Sequence, residues 1–332
     1  MFTTVGILEY GGLSKRAITI DYTKCGTADS TNFPVLVSFT NASLKTKANG
    51  GKVENSNGYD IQFFSDIELT SKLSWEVEKY DATTGEIRAW VKIPTISYTA
   101  NTVFYITYGD SSISTFQGGI KGSAWDSNFK IVYHCNETTG TTIADSTNNA
   151  NDGVKSSSTT PASTTGYIGN GQAYASSGQI NIGTPILLND GTIQAWINSN
   201  SYAGALCAGA NFGEGYWGYN IASNGYYVNW GGFYVGFNAP SLGIWNLVTM
   251  TRAGSTCYVY INGNTPQVAV GYSGSALVRQ FGNLYSGGGF GYLNASVDEI
   301  RISNIARSAS WIKTNYNNQS SPNTFYTVGA EL

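Results

Sequence analysis

Histidine occurs once in this 332-residue chain, at position 134, and methionine only twice. A lone histidine excludes a zinc centre with several imidazole ligands, and any histidine-dependent triad would have to use His134 itself. No G-x-S-x-G elbow accompanies it and no glycine-rich phosphate loop precedes a helix. Charge is sparse too: 18 basic and 21 acidic side chains leave a net charge of −3. Lys15–Arg16 and Lys45–Lys47 are the nearest thing to basic clusters and read as solvated surface, so neither nucleic acid nor a membrane surface is expected as a partner. No apolar run approaches the roughly twenty residues of a membrane span. The opening MFTTVGILEYGGLSKR lacks a basic region, a sustained apolar core and a small-residue cleavage site, so a complete product of this sequence would not be secreted by the usual route. The sequons at Asn41, Asn136, Asn294 and Asn318 then read as polar turns. Cys25, Cys135, Cys207 and Cys257 are far apart, without C-x-x-C pairing, and read as free thiols; 207–257 is the one pairing to look for.

What the chain has is glycine (40), tyrosine (23) and many Thr, Ser and Asn, with no long stretch of helical period. That composition predicts an all-β protein rich in turns. Its length accommodates two domains, and the composition changes near Gly118–Gly122: residues 1–121 hold 11 of the 18 basic and 12 of the 21 acidic groups, whereas the remainder holds six of eight tryptophans. In the first part Ala17–Ile20, Val35–Phe39, Asp60–Phe64, Trp75–Tyr80, Ile87–Val91 and Val103–Tyr108 read as strands of a small β-sandwich, with Asp81–Gly85 as a hairpin connection. In the second, Ser156–Thr165 reads as a mobile low-complexity loop. Near the end, VDEIRISNIARSASWI passes from a strand near period two, with Val297, Ile300 and Ile302 apolar, into a helix over Ala309–Tyr316 capped by Ser308.

That ending resembles the close of LamG-like, concanavalin A-like jelly-roll domains. Four upstream blocks agree in order: YHCNETTGTTIADSTNNANDG (133–153), GYIGNGQAY (166–174), GTIQAWI (191–197) and GIWNLVTMTRAGSTCYVYINGN (243–264). The first third resembles a different family, the domain of unknown function 2341, through KRAITIDYTK (15–24), TNFPVLVSF (31–39), GYDIQFF (58–64), KLSWEVEKYDATTGEIRAWVKIP (72–94) and YITYGD (105–110). The expected organisation is therefore an arm over residues 1–13, a β-sandwich over 14–121 and a concanavalin A-like jelly roll over 122–332, with one short C-terminal helix. The arm, with Phe2, Val5, Ile7, Leu8 and Tyr10, is too apolar for an idle tail; docking onto a partner and packing onto the chain's own sheet both account for it.

Tyr202–Phe237 sets eleven aromatic residues among nine glycines. Sugars present apolar C–H faces that stack on rings while amides fix hydroxyls, which makes Trp217, Tyr219, Asn220, Tyr227, Asn229 and Trp230 the candidate glycan platform. Alternate aromatics also fill sandwich cores, so both readings stand. Relatives of the fold that bind calcium make Asp145, Asp152 and Asp298 the candidate metal ligands, although no EF-hand loop is present. No other cofactor is implied. Glycoside hydrolysis needs paired carboxylates; the E-x-D-x-x-E motif of glucanases of this fold is absent from the jelly roll, and Glu76 and Glu78 read as a solvated strand face.

The expected function is non-enzymatic: a structural or adhesive protein on a particle surface, a bacteriophage virion decoration or fibre component with weak glycan binding. Met1–Leu13 would dock on a capsid or tail protein, with a homo-oligomer allowed and the virion surface as location. A soluble or cell-surface, lectin-like carbohydrate-binding module and a glycan-active enzyme are the alternatives.

Overall fold

The computed structural model describes residues 13–175, 178–202, 204–209, 236–283 and 292–332 in full, with the backbone of the strands at 216–220, 225–230 and 233–235. Apart from Leu13, the apolar arm lies outside the described residues. The chain forms two compact units.

The first unit contains β1 (Ser14–Ile20), β2 (Ser30–Thr40), β3 (Gln62–Phe64), β4 (Ser74–Asp81), β5 (Glu86–Ile96) and β6 (Thr102–Tyr108). Each overlaps a strand expected from the sequence; five are extended by up to five residues at an end, and β3 begins two residues later than expected. The β4–β5 hairpin is closed by Asp81, whose Oδ1 accepts from the amides of Thr83 and Thr84, and by Gly85 at φ +73°. A Cβ at Gly85 would stand 2.2 Å from the Asn41 carbonyl oxygen, so both the turn and the packing require glycine. β2, β5 and β4 form one sheet in that order. Ile18, Val35, Phe63, Trp75, Trp90 and Ile106 are fully buried, each worth about 1.5–3 kcal/mol of transfer free energy. Trp75 sits edge-on to Phe63 with ring centroids 5.5 Å apart.

The second unit, Cys25–Ala28 and Trp125–Ser320, is a sandwich of two eight-stranded antiparallel sheets. Its strands are β7 (Phe129–Tyr133), β8 (Thr142–Ile143), β9 (Gly153–Lys155), β10 (Ala162–Thr165), β11 (Asn170–Ala175), β12 (Ile180–Leu188), β13 (Gly191–Ser199), β14 (Ala205–Ala208), β15 (Tyr216–Asn220), β16 (Gly225–Trp230), β17 (Phe233–Phe237), β18 (Trp245–Ala253), β19 (Thr256–Ile261), β20 (Gln267–Val270), β21 (Ala276–Phe281) and β22 (Asn294–Ser303). The first sheet runs β10-β11-β22-β13-β18-β19-β20, with β7 also on β22; the second runs β17-β16-β15-β14-β21-β12-β9-β8. Between them lies one apolar core that includes Ile131, Ile193, Ile197, Val248, Ile300 and Ile302 from the first sheet and Ile143, Ile180, Leu188, Leu206 and Phe281 from the second. Ser156–Thr165 is not wholly a loop: its last four residues pair with β11 as an edge strand.

The helix α1 (Ala309–Ser320) runs one turn beyond its expected end, and the Ser308 hydroxyl accepts from the Trp311 amide at 3.2 Å, as an N-cap should. It covers the outer face of the first sheet. Trp196 Nε1 donates to Gln319 Oε1 at 2.6 Å, Gln319 Nε2 donates to Asn315 Oδ1 at 2.7 Å, and Tyr167 stacks on Trp196 with centroids 3.5 Å apart.

After α1 the chain returns to the first unit through a one-turn helix, α2 (Pro322–Phe325), and β23 (Tyr326–Glu331). β23 pairs with β1 and completes the sheet β23-β1-β6-β3. The last twelve residues therefore pack with the sandwich expected over 14–121 and not with the jelly roll, while Cys25–Ala28 packs with the jelly roll. Long-range strand pairing settles this, and no local sequence signal announces it.

Candidate functional site

The second sheet of the jelly roll carries the aromatic stretch. Its strand register is continuous enough to trace one line of paired residues across all eight strands: Tyr234, Asn229, Tyr216, Ala208, Gln280, Asn181, Val154 and Thr142. Directly paired residues share a face of an antiparallel sheet, and neighbours along a strand alternate. The adjacent line, Val235, Val228, Trp217, Cys207, Phe281, Ile180 and Lys155, belongs to the opposite face. Cys207, Phe281 and Ile180 are buried in the core, which identifies that opposite face as the inner one.

The six platform candidates are thereby divided. Trp217, Tyr219 and Trp230 share the register face of Phe237, which is 7% exposed and part of the core. Asn220, Tyr227 and Asn229 fall on the outer face. The platform expected from the sequence is not one surface, because alternation puts neighbours in β15 and β16 on opposite sides. Side-chain positions of all six lie outside the described residues.

The outer face over β15, β16 and β17 consists of Tyr216, Gly218, Asn220, Gly225, Tyr227, Asn229, Tyr234 and Gly236. Only tyrosine, asparagine and glycine occur there. The inner face of the same strands carries Trp217, Tyr219, Tyr226, Val228, Trp230, Phe233, Val235 and Phe237. Asparagine supplies both a donor and an acceptor.

Along the same line, toward β21 and β12, four amides join into a surface chain that the sequence reading missed. Gln179 Nε2 donates to Asn181 Oδ1 at 2.7 Å, Asn283 Nδ2 donates to Gln179 Oε1 at 3.1 Å, and Gln280 Nε2 donates to the Asn283 carbonyl at 3.0 Å. Asn181 is exposed and the other three are half-buried. The pairs Gln179/Asn181 and Gln280/Asn283 are about a hundred positions apart in sequence, so no local motif could signal their meeting. Among the described residues no helix covers this face, in contrast to the first sheet.

The candidate calcium ligands are engaged in another way. Asp145 is fully buried; its Oδ1 accepts from the amides of Val132 and Thr147, each at 3.0 Å, and its Oδ2 accepts from Thr147 Oγ1 at 2.7 Å and the Asn151 amide at 2.9 Å. Asp152 Oδ1 accepts from the Asp145 amide at 2.8 Å. Asp298 Oδ2 accepts from the Ile168 amide and Oδ1 from the Glu299 amide, both at 2.8 Å. Among the described residues the three carboxylates do not gather into one cluster. With the Asp145 lone-pair positions filled by protein donors, the set does not fit a cation that takes six to eight oxygens.

Two further sequence candidates have structural partners. Glu78 Oε2 accepts from Trp90 Nε1 at 2.9 Å. His134 follows β7, and its Nδ1 lies within hydrogen-bond distance of the Glu299 carboxylate in β22. None of the four cysteines is in a disulfide, and Cys207 and Cys257 lie in different sheets; burial pushes the Cys257 thiol up to about 12, which keeps it inert.

A small β-sandwich followed by an all-antiparallel jelly roll with one covering helix defines a class of two-unit β proteins. Residues 57–151 match the family model described as a domain of unknown function (DUF2341), and residues 169–313 match that of the concanavalin A-like lectin/glucanases superfamily. The chain thus carries a DUF2341 segment followed by a concanavalin A-like domain. The first match crosses the division between the units and takes in β7, β8 and the Asp145 turn. No curated protein matches the chain.

Solved structures with a similar outline include domain 4 of AbnA, a GH43 extracellular arabinanase from Geobacillus stearothermophilus in complex with arabinotriose: 16% identity, 57% of this chain and 98% of that one covered, TM-score 0.47. The binding domain of Paraclostridial Mosquitocidal Protein 1 is similar at 14% identity, 57% and 52% coverage and TM-score 0.45. Trypanosoma rangeli sialidase follows at 14%, with 57% and 32% coverage and TM-score 0.41. This chain thus spans about half of the mosquitocidal binding domain and a third of the sialidase. None of these likenesses bears on what it binds.

Proposed function

We propose that the chain is a non-enzymatic display protein whose jelly roll makes weak contacts with polysaccharide through the outer face of its second sheet. The observation that carries this reading is the register line across that sheet, which sets a face of tyrosine, asparagine and glycine beside the amide chain of Gln179, Asn181, Gln280 and Asn283. Rings supply stacking for sugar C–H faces, and amides read hydroxyls in both directions. Stacking and hydroxyl contacts of this kind give low affinity per site, which repeated copies on one body raise through effective concentration.

That argument favours display on a particle, and we assign it to a bacteriophage virion surface, with the apolar segment Met1–Leu13 as the element that docks on a capsid or tail protein. Counting copies of the chain in purified particles by mass spectrometry, against a major capsid protein, tests the location. Many copies per particle support it; absence from particles overturns it. A polysaccharide array probed with wild type and with Asn181→Ala plus Gln280→Ala tests the surface independently, with loss of signal expected for the double variant.

A further inference from the structure

A recess lies in the jelly roll away from that sheet face, where the segment Cys25–Ala28, the β19–β20 connection and the start of α1 meet. Its volume is about 250 Å³. Two of its walls exist because glycine allows them. A Cβ at Gly26 would stand 2.3 Å from Ser310 Oγ, and one at Gly263, where φ is +60°, would stand 2.9 Å from Tyr316 Cβ and 3.3 Å from Lys313 Cα. The first wall is then pinned to α1: Gly26 N donates to Thr314 Oγ1 at 2.9 Å, Ala28 N donates to Ser310 Oγ at 2.8 Å, and Ser310 Oγ donates to the Ala28 carbonyl at 2.8 Å. The recess is preformed, so a ligand need not order it on binding.

Its lining has a definite chemistry. Tyr260, 5% exposed, and Pro266 contribute apolar surface, and Asn264 and Thr265 contribute hydrogen-bonding groups. Lys313 is the one charged residue in the lining, and no carboxylate accompanies it. Among the described residues Lys313 makes no ion pair; its Nζ lies 5.6 Å from the Tyr316 ring centroid. The volume falls below the usual lower end, about 300 Å³, of small-molecule pockets, which suits a single ring and not an extended chain.

We infer that this recess binds one carboxylate-bearing pyranose, a hexuronate, with its C–H face on Tyr260 and Pro266 and its carboxylate on Lys313. Asn264 and Thr265 then meet the ring hydroxyls. The site is independent of the sheet face, which carries no formal charge along its register line.

Amide chemical-shift titrations of the full chain with glucuronate, glucose and a glucuronate-terminated trisaccharide test the inference. Glucuronate is expected to perturb residues 263–266 and 309–313 and to bind about tenfold or more tighter than glucose, as one charged hydrogen bond allows. Lys313→Gln should erase that difference and Lys313→Arg should keep it; both are good helix formers at a half-exposed position. Ala309→Trp should block all binding at these residues. Equal affinity of the trisaccharide and free glucuronate points to a terminal sugar as the natural ligand, whereas trisaccharide that fails to bind restricts the site to the free acid. Glucose binding as well as glucuronate, perturbations confined to the second sheet, or none at up to about 50 mM would overturn the inference.

Discussion

His134 Nδ1 lies 2.6 Å from Glu299 Oε1, and the other oxygen of the same carboxylate receives Arg301 Nη2 at 2.5 Å and Nε at 3.2 Å. Glu299 is fully buried and Arg301 nearly so, with its guanidinium 4.8 Å from the centroid of Trp125. Burial by itself would push the Glu299 carboxyl up, but the charges of His134 and Arg301 beside it hold it below its ordinary range. Glu299 also sits at φ +52°, an uncommon conformation for a residue with a side chain.

Removing one partner of this group leaves a buried charge uncompensated. Glu299→Gln should therefore cost about 3–5 kcal/mol in denaturant unfolding of the jelly roll. Adding Arg301→Met to it should recover part of that loss, because the stranded guanidinium goes with it. A Glu299→Gln protein of unchanged stability would show that the pair contributes nothing.

Acid should loosen the strand that returns to the first unit. Glu331 of β23 accepts from Ser14 Oγ at 2.9 Å and Tyr108 hydroxyl at 3.0 Å, and pairs with Lys52 and Arg16. Against a burial effect that raises it, the bonds from Lys52, Ser14 and Tyr108 hold its carboxyl down at about 2, below the ordinary 4.5. The folded value is the lower one, so this contribution is fully present above about 4.5 and is lost as pH falls toward 2. With Glu331 partly exposed, screening limits it to about 1 kcal/mol or less. Glu331→Gln should flatten the acid limb of stability in that window; an unchanged limb would assign acid sensitivity elsewhere.

Calcium should do little. Because Asp145 already accepts four hydrogen bonds, millimolar calcium is expected to shift Tm by less than about 1 °C, whereas Asp145→Ala should cost several kcal/mol through unpaired buried donors. A marked, saturable rise of Tm with calcium would restore a metal site.

The register division makes a paired prediction for β15 and β16. Tyr227→Ala, on the outer face, should weaken polysaccharide binding and change stability by about 0.5 kcal/mol or less. Trp217→Ala, on the face of Cys207 and Phe281, should cost about 3–5 kcal/mol. Reversed outcomes, read from binding and thermal melts on the same samples, would mean that the two faces are exchanged.

The sequence by itself determined the local elements. All six expected strands of the first unit form, because alternation and turn residues act within a few positions, and the Asp81–Gly85 hairpin and the Ser308 cap have the geometry their residues favour. It also carried the order of the two domains, since motif blocks are local. What only tertiary structure decided is pairing at a distance. Val297 and Ile300, three apart, both reach the core because the pairing of β22 with β13 shifts around Glu299, a bulge that strict period-two reading cannot anticipate. The return of β23 to β1, the amide chain from Gln179 to Asn283 and the face on which each aromatic residue falls depend on registers between strands up to three hundred residues apart. A one-residue change of register would exchange those faces, so composition could nominate the aromatic stretch but not say which of its residues share the register face of the core.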